Sequence, residues 1–378
     1  MSQKPKRKVS LCTKIGEATD SNKRSKRFST MSQNPEDRYP SRKWLPTGLG
    51  SQIESGEYKI SSKDLPFTLM SYNILADYLA QRHPELYTTT AHSEIMYWPN
   101  RFEKIIEEIL EFSCDILCLQ EVQNDHWSSF EDRLRSFGYE GLYKKRTGDK
   151  QDGCAIFYKP EKFVLIDQTD VEYRQPSAPS CLDRDNIGLL AKFGSKKDLN
   201  SQFCVATTHL LFNPKRHDVK TAQMALLLAE IDRFAWTNQS QNPYLPIIIT
   251  GDLNCQSHHS VYELLCQGMT NYRGLSRAYV PPDQGLIPAE LGITDSCQHF
   301  DVLKSRADKK PQVQGRLFHS NKTAENPGPM ESMGAYYGNG SFYHNFGFKS
   351  VYNPLSRGVS QVHFDFCTLE KRDYISIK

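Results

Sequence analysis

Short apolar runs that close on a single polar residue recur along this chain from about residue 65 onwards. Phe67 to Leu75 has the β-branched and apolar density of a buried strand and carries Asn73 near its end. Asp115 to Val122 repeats the pattern with Glu121. Phe203 to Leu211 repeats it with His209, and Leu245 to Ile249 runs through Thr250-Gly251 into Asp252 and Asn254. Gly153 to Tyr158, Phe163 to Val171 and Ile187 to Phe193 complete a series of strands divided by turn residues. Strands that follow one another without helices between them predict antiparallel pairing. Helical periodicity predicts three helices between the runs and one after them. Arg101 to Phe112 sets Phe102, Ile105, Ile106, Ile109 and Leu110 on one face. Ser128 to Phe137 is a shorter helix. Asp218 to Trp236 is the longest, with Asp218 as its expected cap, and Val261 to Cys266 is the last.

The flanks differ. Residues 1–60 are rich in Lys, Arg, Ser, Gln and Asn without apolar periodicity, and predict a disordered basic tail. Lys4 to Lys8 and Lys23 to Arg27 are basic clusters suited to nuclear import or to RNA contact. The folded domain is expected over 61–378. Within it, 268 to about 340 predicts a long irregular region rich in Pro, Gly and Tyr. Strands are expected again at Phe342 to Tyr352, Val362 to Leu369 and Arg372 to Lys378.

Bulk composition narrows the class. The chain has 378 residues, 38% hydrophobic and 24% charged, with a net charge of +3, so it is long enough for one large α/β domain. Several of its ten cysteines sit inside apolar runs and none shows tight metal or redox spacing. With no signal-peptide pattern and no membrane-length apolar run, the expected setting is reducing, cytoplasmic and nuclear, without a membrane anchor.

The polar residues at the strand ends carry the candidate chemistry. A carboxylate at the end of an apolar strand is costly unless it is paired or binds a cation. Glu121 therefore suits Mg²⁺, which takes few carboxylates and keeps waters for substrate phosphate; Mn²⁺ is an expected substitute. Asp252 is suited to orient or deprotonate water. Asn73 and Asn254 are neutral amides able to hold phosphate oxygens or the nucleophile. His209, when protonated, would stabilise charge on phosphorus. Ordinary roles compete: Asp and Asn favour turns and caps, and a strand histidine is commonly a satisfied core residue.

Taken in order, Ser71-Tyr72-Asn73-Ile74-Leu75, Leu119-Gln120-Glu121-Val122, Thr208-His209-Leu210 and Gly251-Asp252-Leu253-Asn254 resemble the endonuclease/exonuclease/phosphatase superfamily. Asp152 to Lys159 and Asp185-Asn186-Ile187-Gly188 resemble its CCR4/nocturnin branch. Leu211-Phe212-Asn213-Pro214-Lys215-Arg216 and the Asp218-Val219-Lys220…Gln223 run resemble the Angel group. The resemblance covers about 65 to 375. It implies a four-layer α/β sandwich, in which two packed, mostly antiparallel mixed sheets are flanked by helices, with the site at one end. It implies Mg²⁺-dependent attack of water on a phosphorus ester at an RNA 3′ end. Glu121 would bind metal, and Asp252, Asn254, Asn73, His209 and Asp373 would be catalytic. Asn186, Asn213, Phe212 and Arg216 would bind substrate. Two activities stand: 2′,3′-cyclic phosphatase, as in the Angel group, and CCR4-like poly(A) exonuclease.

One departure is expected to matter. The superfamily pattern finishes with a Ser-Asp-His strand end, whereas Asp373-Tyr374-Ile375 is followed by Ser376-Ile377-Lys378. The ending resembles a truncated or alternative C-terminus without the last strand and histidine. It predicts weak or absent catalysis, or a non-catalytic RNA-binding form.

Overall fold

The computed structural model describes residues 9–13, 368–369, and 51–351 apart from 86–95, 176–180, 239–242, 276–284, 309–335 and a few single positions. Its centre is a pair of mixed sheets. The first orders its strands β1 (Val9–Thr13), β2 (Leu65–Asn73), β3 (Ile116–Gln123), β5 (Asp152–Tyr158) and β4 (Glu140–Lys145). β1, β2 and β3 run parallel, and β5 lies antiparallel to both β3 and β4. The second sheet contains β6 (Phe163–Glu172), β7 (Ile187–Ser195), β8 (Asp198–His209) and β9 (Ile247–Asp252). β12 (Lys349–Ser350) and β13 (Thr368–Leu369) extend it beyond β9. Among the described residues, only β8 and β9 are parallel there.

Period-two alternation builds the layers. Along β3, Ile116 and Cys118 face the second sheet, while Leu117 and Leu119 face outward. The inter-sheet core joins Phe67, Leu69 and Ile156 to Phe193, Phe203 and Val205. Phe67 stacks on Phe203 with ring centroids 4.8 Å apart. Outside the first sheet lie α2 (Trp98–Phe112) and α3 (Trp127–Arg135), which bury Ile106, Ile109, Phe130 and Leu134. Outside the second lie α4 (His217–Ala235) and α5 (Ser260–Gln267). The helix–sheet–sheet–helix order is the expected four-layer sandwich.

Several boundaries differ from expectation, each for a local reason. The loop after β2 contains a six-residue helix, α1 (Asp77–Arg82), too short to show a period. β4 is polar because it is an edge strand, where charged side chains remain in water. Asp218 does not cap α4. The helix begins one residue earlier, with no side-chain cap, and Asp218 is fully buried in the first turn. The expected irregular region holds β10 (Met269–Asn271), paired antiparallel with β11 (Ser341–Tyr343), and α6 (Phe300–Asp308). The expected tail contains β1, whose residues Val9–Thr13 pair in parallel register with Leu65–Leu69 of β2. The basic clusters and the last expected strand, with Asp373, fall outside the described residues. No helix is long and apolar enough to cross a membrane among the described residues.

Behind the site the second sheet is braced by a buried phenol. The Tyr173 hydroxyl meets Thr208 Oγ1 at 2.7 Å, and Thr208 Oγ1 in turn meets the Ile187 carbonyl at 2.8 Å. Tyr173→Phe is expected to lower the unfolding free energy by about 1 kcal/mol, the net worth of one buried hydrogen bond. Urea unfolding checks it, with an unchanged denaturant slope.

Candidate active site

Strand direction brings the polar ends together. β2, β3, β8 and β9 all finish at one end of the sandwich, and β5 and β7 begin there, because Gln123 pairs with Asp152 and Thr208 with Gly188. Glu121 occupies a bulge. The β3–β5 register shifts between Gln120 and Val122, and Glu121 sits at φ 61°. A bulge re-aims one side chain without ending the strand. Gln120 keeps its place between the sheets and donates from Nε2 to Thr207 Oγ1 at 3.0 Å.

The Asn73 amide is the centre of the cluster. Its Nδ2 donates to Glu121 Oε1 at 2.7 Å and to Asp252 Oδ2 at 3.1 Å, bridging acids from different sheets. Its Oδ1 accepts from the Leu75 N–H at 3.0 Å. The second Glu121 oxygen accepts from the Ala76 N–H at 3.0 Å. The intervening Leu75 is left-handed (φ 57°), and Arg101 secures that turn by donating to the carbonyls of Ile74 and Leu75. Such strain persists where surrounding contacts over-determine it.

On the second sheet His209 and Asp252 are register partners, with His209 Nε2 3.9 Å from Asp252 Oδ2. His209 Nδ1 is buried without a partner among the described residues. Asp252 Oδ1 accepts from the Asn254 N–H at 2.9 Å. Asn254, left-handed at φ 48°, donates from Nδ2 to the Leu210 carbonyl at 3.0 Å and keeps Oδ1 as an acceptor.

Glu121, Asp252, His209, Asn73 and Asn254 are thus brought together. The substrate-binding expectations divide. Asn186 is buried. Its Nδ2 donates to the His209 carbonyl, and its Oδ1 accepts from Gln223, so it positions His209 through the backbone. Asn213 folds its own turn, its Oδ1 accepting from the Lys215 N–H. The Arg216 guanidinium donates to both carboxylate oxygens of buried Asp218, so its charge is neutralised within the loop. Phe212, three residues after His209 in the chain, is 64% exposed.

A second network at the same end was not expected. Asp152 Oδ1 accepts from Tyr78 and Arg146, which also bond each other. Burial, together with the Asp152 hydrogen bond, pushes the Tyr78 phenol up to about 12. Tyr78 N–H donates to Gln123, latching the segment after β2 onto β3. The available signal was Asp152 itself, a carboxylate opening an apolar strand. Gln223 could have been found as a polar residue on the buried side of a helix.

The donor set fits a hard divalent cation. Glu121 is buried, is held only by neutral donors, and makes no ion pair among the described residues. No group of three or more His, Cys, Asp or Glu forms a closed cage among the described residues. A single well-placed carboxylate beside a second suits a cation that retains water.

Comparison with known proteins places this arrangement. The Endonuclease/Exonuclease/phosphatase family model matches residues 70–348. Protein angel homolog 1 of Homo sapiens is 43% identical over 272 residues, 67% of this chain and 40% of that protein. Protein angel homolog 2 of Homo sapiens is 33% identical over 347 residues, 86% of this chain and 63% of that protein. The chain therefore spans about two fifths to two thirds of the length of these relatives. The crystal structure of ANGEL2, a 2′,3′-cyclic phosphatase, in complex with adenosine-2′,3′-vanadate is similar with a TM-score of 0.63 and 33% identity. That match covers 80% of this chain and 84% of that one.

Proposed function

The chain belongs to the endonuclease/exonuclease/phosphatase family, and on that footing we propose that it hydrolyses phosphoesters at RNA 3′ ends, the terminal 2′,3′-cyclic phosphate above all. The observation that carries this reading is the Asn73 bridge, which holds Glu121 and Asp252 around one amide at the mouth of the sandwich. The vanadate complex of the similar ANGEL2 supports the choice of ester.

The residues divide the work. Glu121 would hold Mg²⁺, which when bound neutralises phosphate charge. Asp252 lies at a strand end with His209 Nε2 3.9 Å away, and accepts the proton of an attacking water. Water adds to phosphorus, one ribose oxygen–phosphorus bond breaks, and the departing oxygen takes up a proton. Asn254 Oδ1 orients the water, and Asn73 keeps the two acids apart while holding them in place. His209, donating from Nε2, faces the charge that grows on the phosphoryl oxygens. Phe212 offers an exposed ring on which a terminal base can stack.

Three RNAs test the proposal: one ending in a 2′,3′-cyclic phosphate, one in 3′-hydroxyl poly(A), and one in a 3′-hydroxyl of mixed sequence. The expected result is loss of the cyclic phosphate in Mg²⁺, slower or equal loss in Mn²⁺, and none after chelation. Stepwise shortening of poly(A) with the cyclic end untouched would instead make the chain a 3′–5′ exoribonuclease.

A further inference from the structure

We propose that Lys220 is a positioning residue for this site, a buried cation that sets the Asp252–Asn254 turn from beneath. The inference rests on the phosphoesterase reading above and extends it to a residue outside the pocket. Lys220 lies in the first turn of α4 and is completely buried. Burying an ammonium is costly, so its placement calls for a compensating partner. Its Nζ makes one hydrogen bond among the described residues, to the Asn254 carbonyl at 2.7 Å. Burial holds the amine below its ordinary range, and the negative group that opposes this is the Asp252 carboxylate, with the neutral Cys255 thiol also nearby.

That single contact falls on one of the left-handed residues of the site. Asn254 is left-handed. Its N–H holds Asp252 Oδ1 at 2.9 Å, its side chain holds the Leu210 carbonyl, and Lys220 holds its carbonyl. All three anchors of the turn are polar. Of the contacts to Asn254, two start from Asn254 itself, and the lysine reaches in from the helical layer. Take away the ammonium, and the peptide after Asn254 loses the donor that fixes its direction. Asp252 then loses a fixed N–H and a nearby positive charge.

The test compares Lys220→Met, Lys220→Gln and the control Leu228→Ala, which removes an equally buried α4 side chain of the hydrophobic core. Methionine matches the length of the lysine stem and tolerates irregular cavities. For Lys220→Met the expected result is a cooperative thermal transition and a kcat about tenfold to a hundredfold lower, as misplaced groups give. KM should stay within about threefold, because the contact touches no substrate. Hydrogen exchange reads the same role without turnover. The Asn254 amide is expected to exchange about tenfold faster, while β8 keeps its protection. Lys220→Gln keeps a donor without the charge, so it should retain Asn254 protection with a smaller fall in kcat. It also serves if the methionine variant does not fold. Wild-type kcat and wild-type exchange in Lys220→Met would overturn the proposal. So would an equal kcat loss in Leu228→Ala at matched stability. If the unaltered chain opens no cyclic phosphate, the proposed function falls, and the exchange experiment still decides the role of Lys220.

Discussion

Asp252→Asn is expected to slow opening of the 2′,3′-cyclic phosphate by about a thousandfold or more, with the fold retained. The substitution conserves volume and removes both the charge and the basic oxygen. Both carboxylate oxygens are in use. Oδ2 accepts from Asn73 and Oδ1 from the Asn254 backbone. An amide has one acceptor, so one of these donors would meet another donor in a buried setting, a mismatch worth about 1–3 kcal/mol. The proton acceptor for water disappears at the same time. Single-turnover hydrolysis at saturating Mg²⁺ separates these effects from weaker substrate binding, and circular dichroism with a thermal melt establishes that the domain remains folded. A rate within about tenfold of the unaltered chain would remove Asp252 from the chemistry, since general-base groups contribute at least about a hundredfold.

Glu121 was legible in the sequence for a physical reason. A carboxylate ending an apolar strand has no cheap place to go, and the same holds for Asp252 after Ile247–Ile249. Asn73 and His209 were legible by the same contrast. The sheet assignment was not, because an unbroken apolar run shows that a strand has two buried faces and leaves its neighbours open. The chain crosses from β5 in one sheet to β6 in the other within the short Lys159–Lys162 turn, and nothing in the apolar pattern marks the crossing. The bulge at Glu121 was equally hidden, since it adds one residue without changing composition. Arg216 shows the limit of reading charge alone. Its guanidinium suits phosphate in isolation, yet two positions away Asp218 takes it up. Lys220 was hidden by its surroundings, because helical periodicity places it among core residues where a lysine is not expected.

Gly251→Ala is expected to destabilise the domain by about 4 kcal/mol or more, a large share of the stability of an ordinary domain. Gly251 sits at φ 135°, a conformation that L side chains rarely adopt. An added Cβ would lie 2.0 Å from the Thr208 carbonyl oxygen and 2.9 Å from the Thr208 carbonyl carbon and nitrogen. These are backbone atoms of the paired strand, so no rotamer change relieves the contact. The β8–β9 ladder must open at Thr208–Gly251, one step before the His209–Asp252 pair. Separation there also weakens the Thr208–Tyr173 contact behind the sheet. Stability and site geometry should therefore fail together. Urea unfolding is expected to show a transition at much lower denaturant, or no folded protein at all, and any folded fraction should lack hydrolysis. A loss below about 1 kcal/mol would mean that the strands yield at Gly251 without strain, which interior packing at this density does not ordinarily allow. Glycine at 251 is thus required by the close approach of two strands, and that same approach sets the distance between His209 and Asp252.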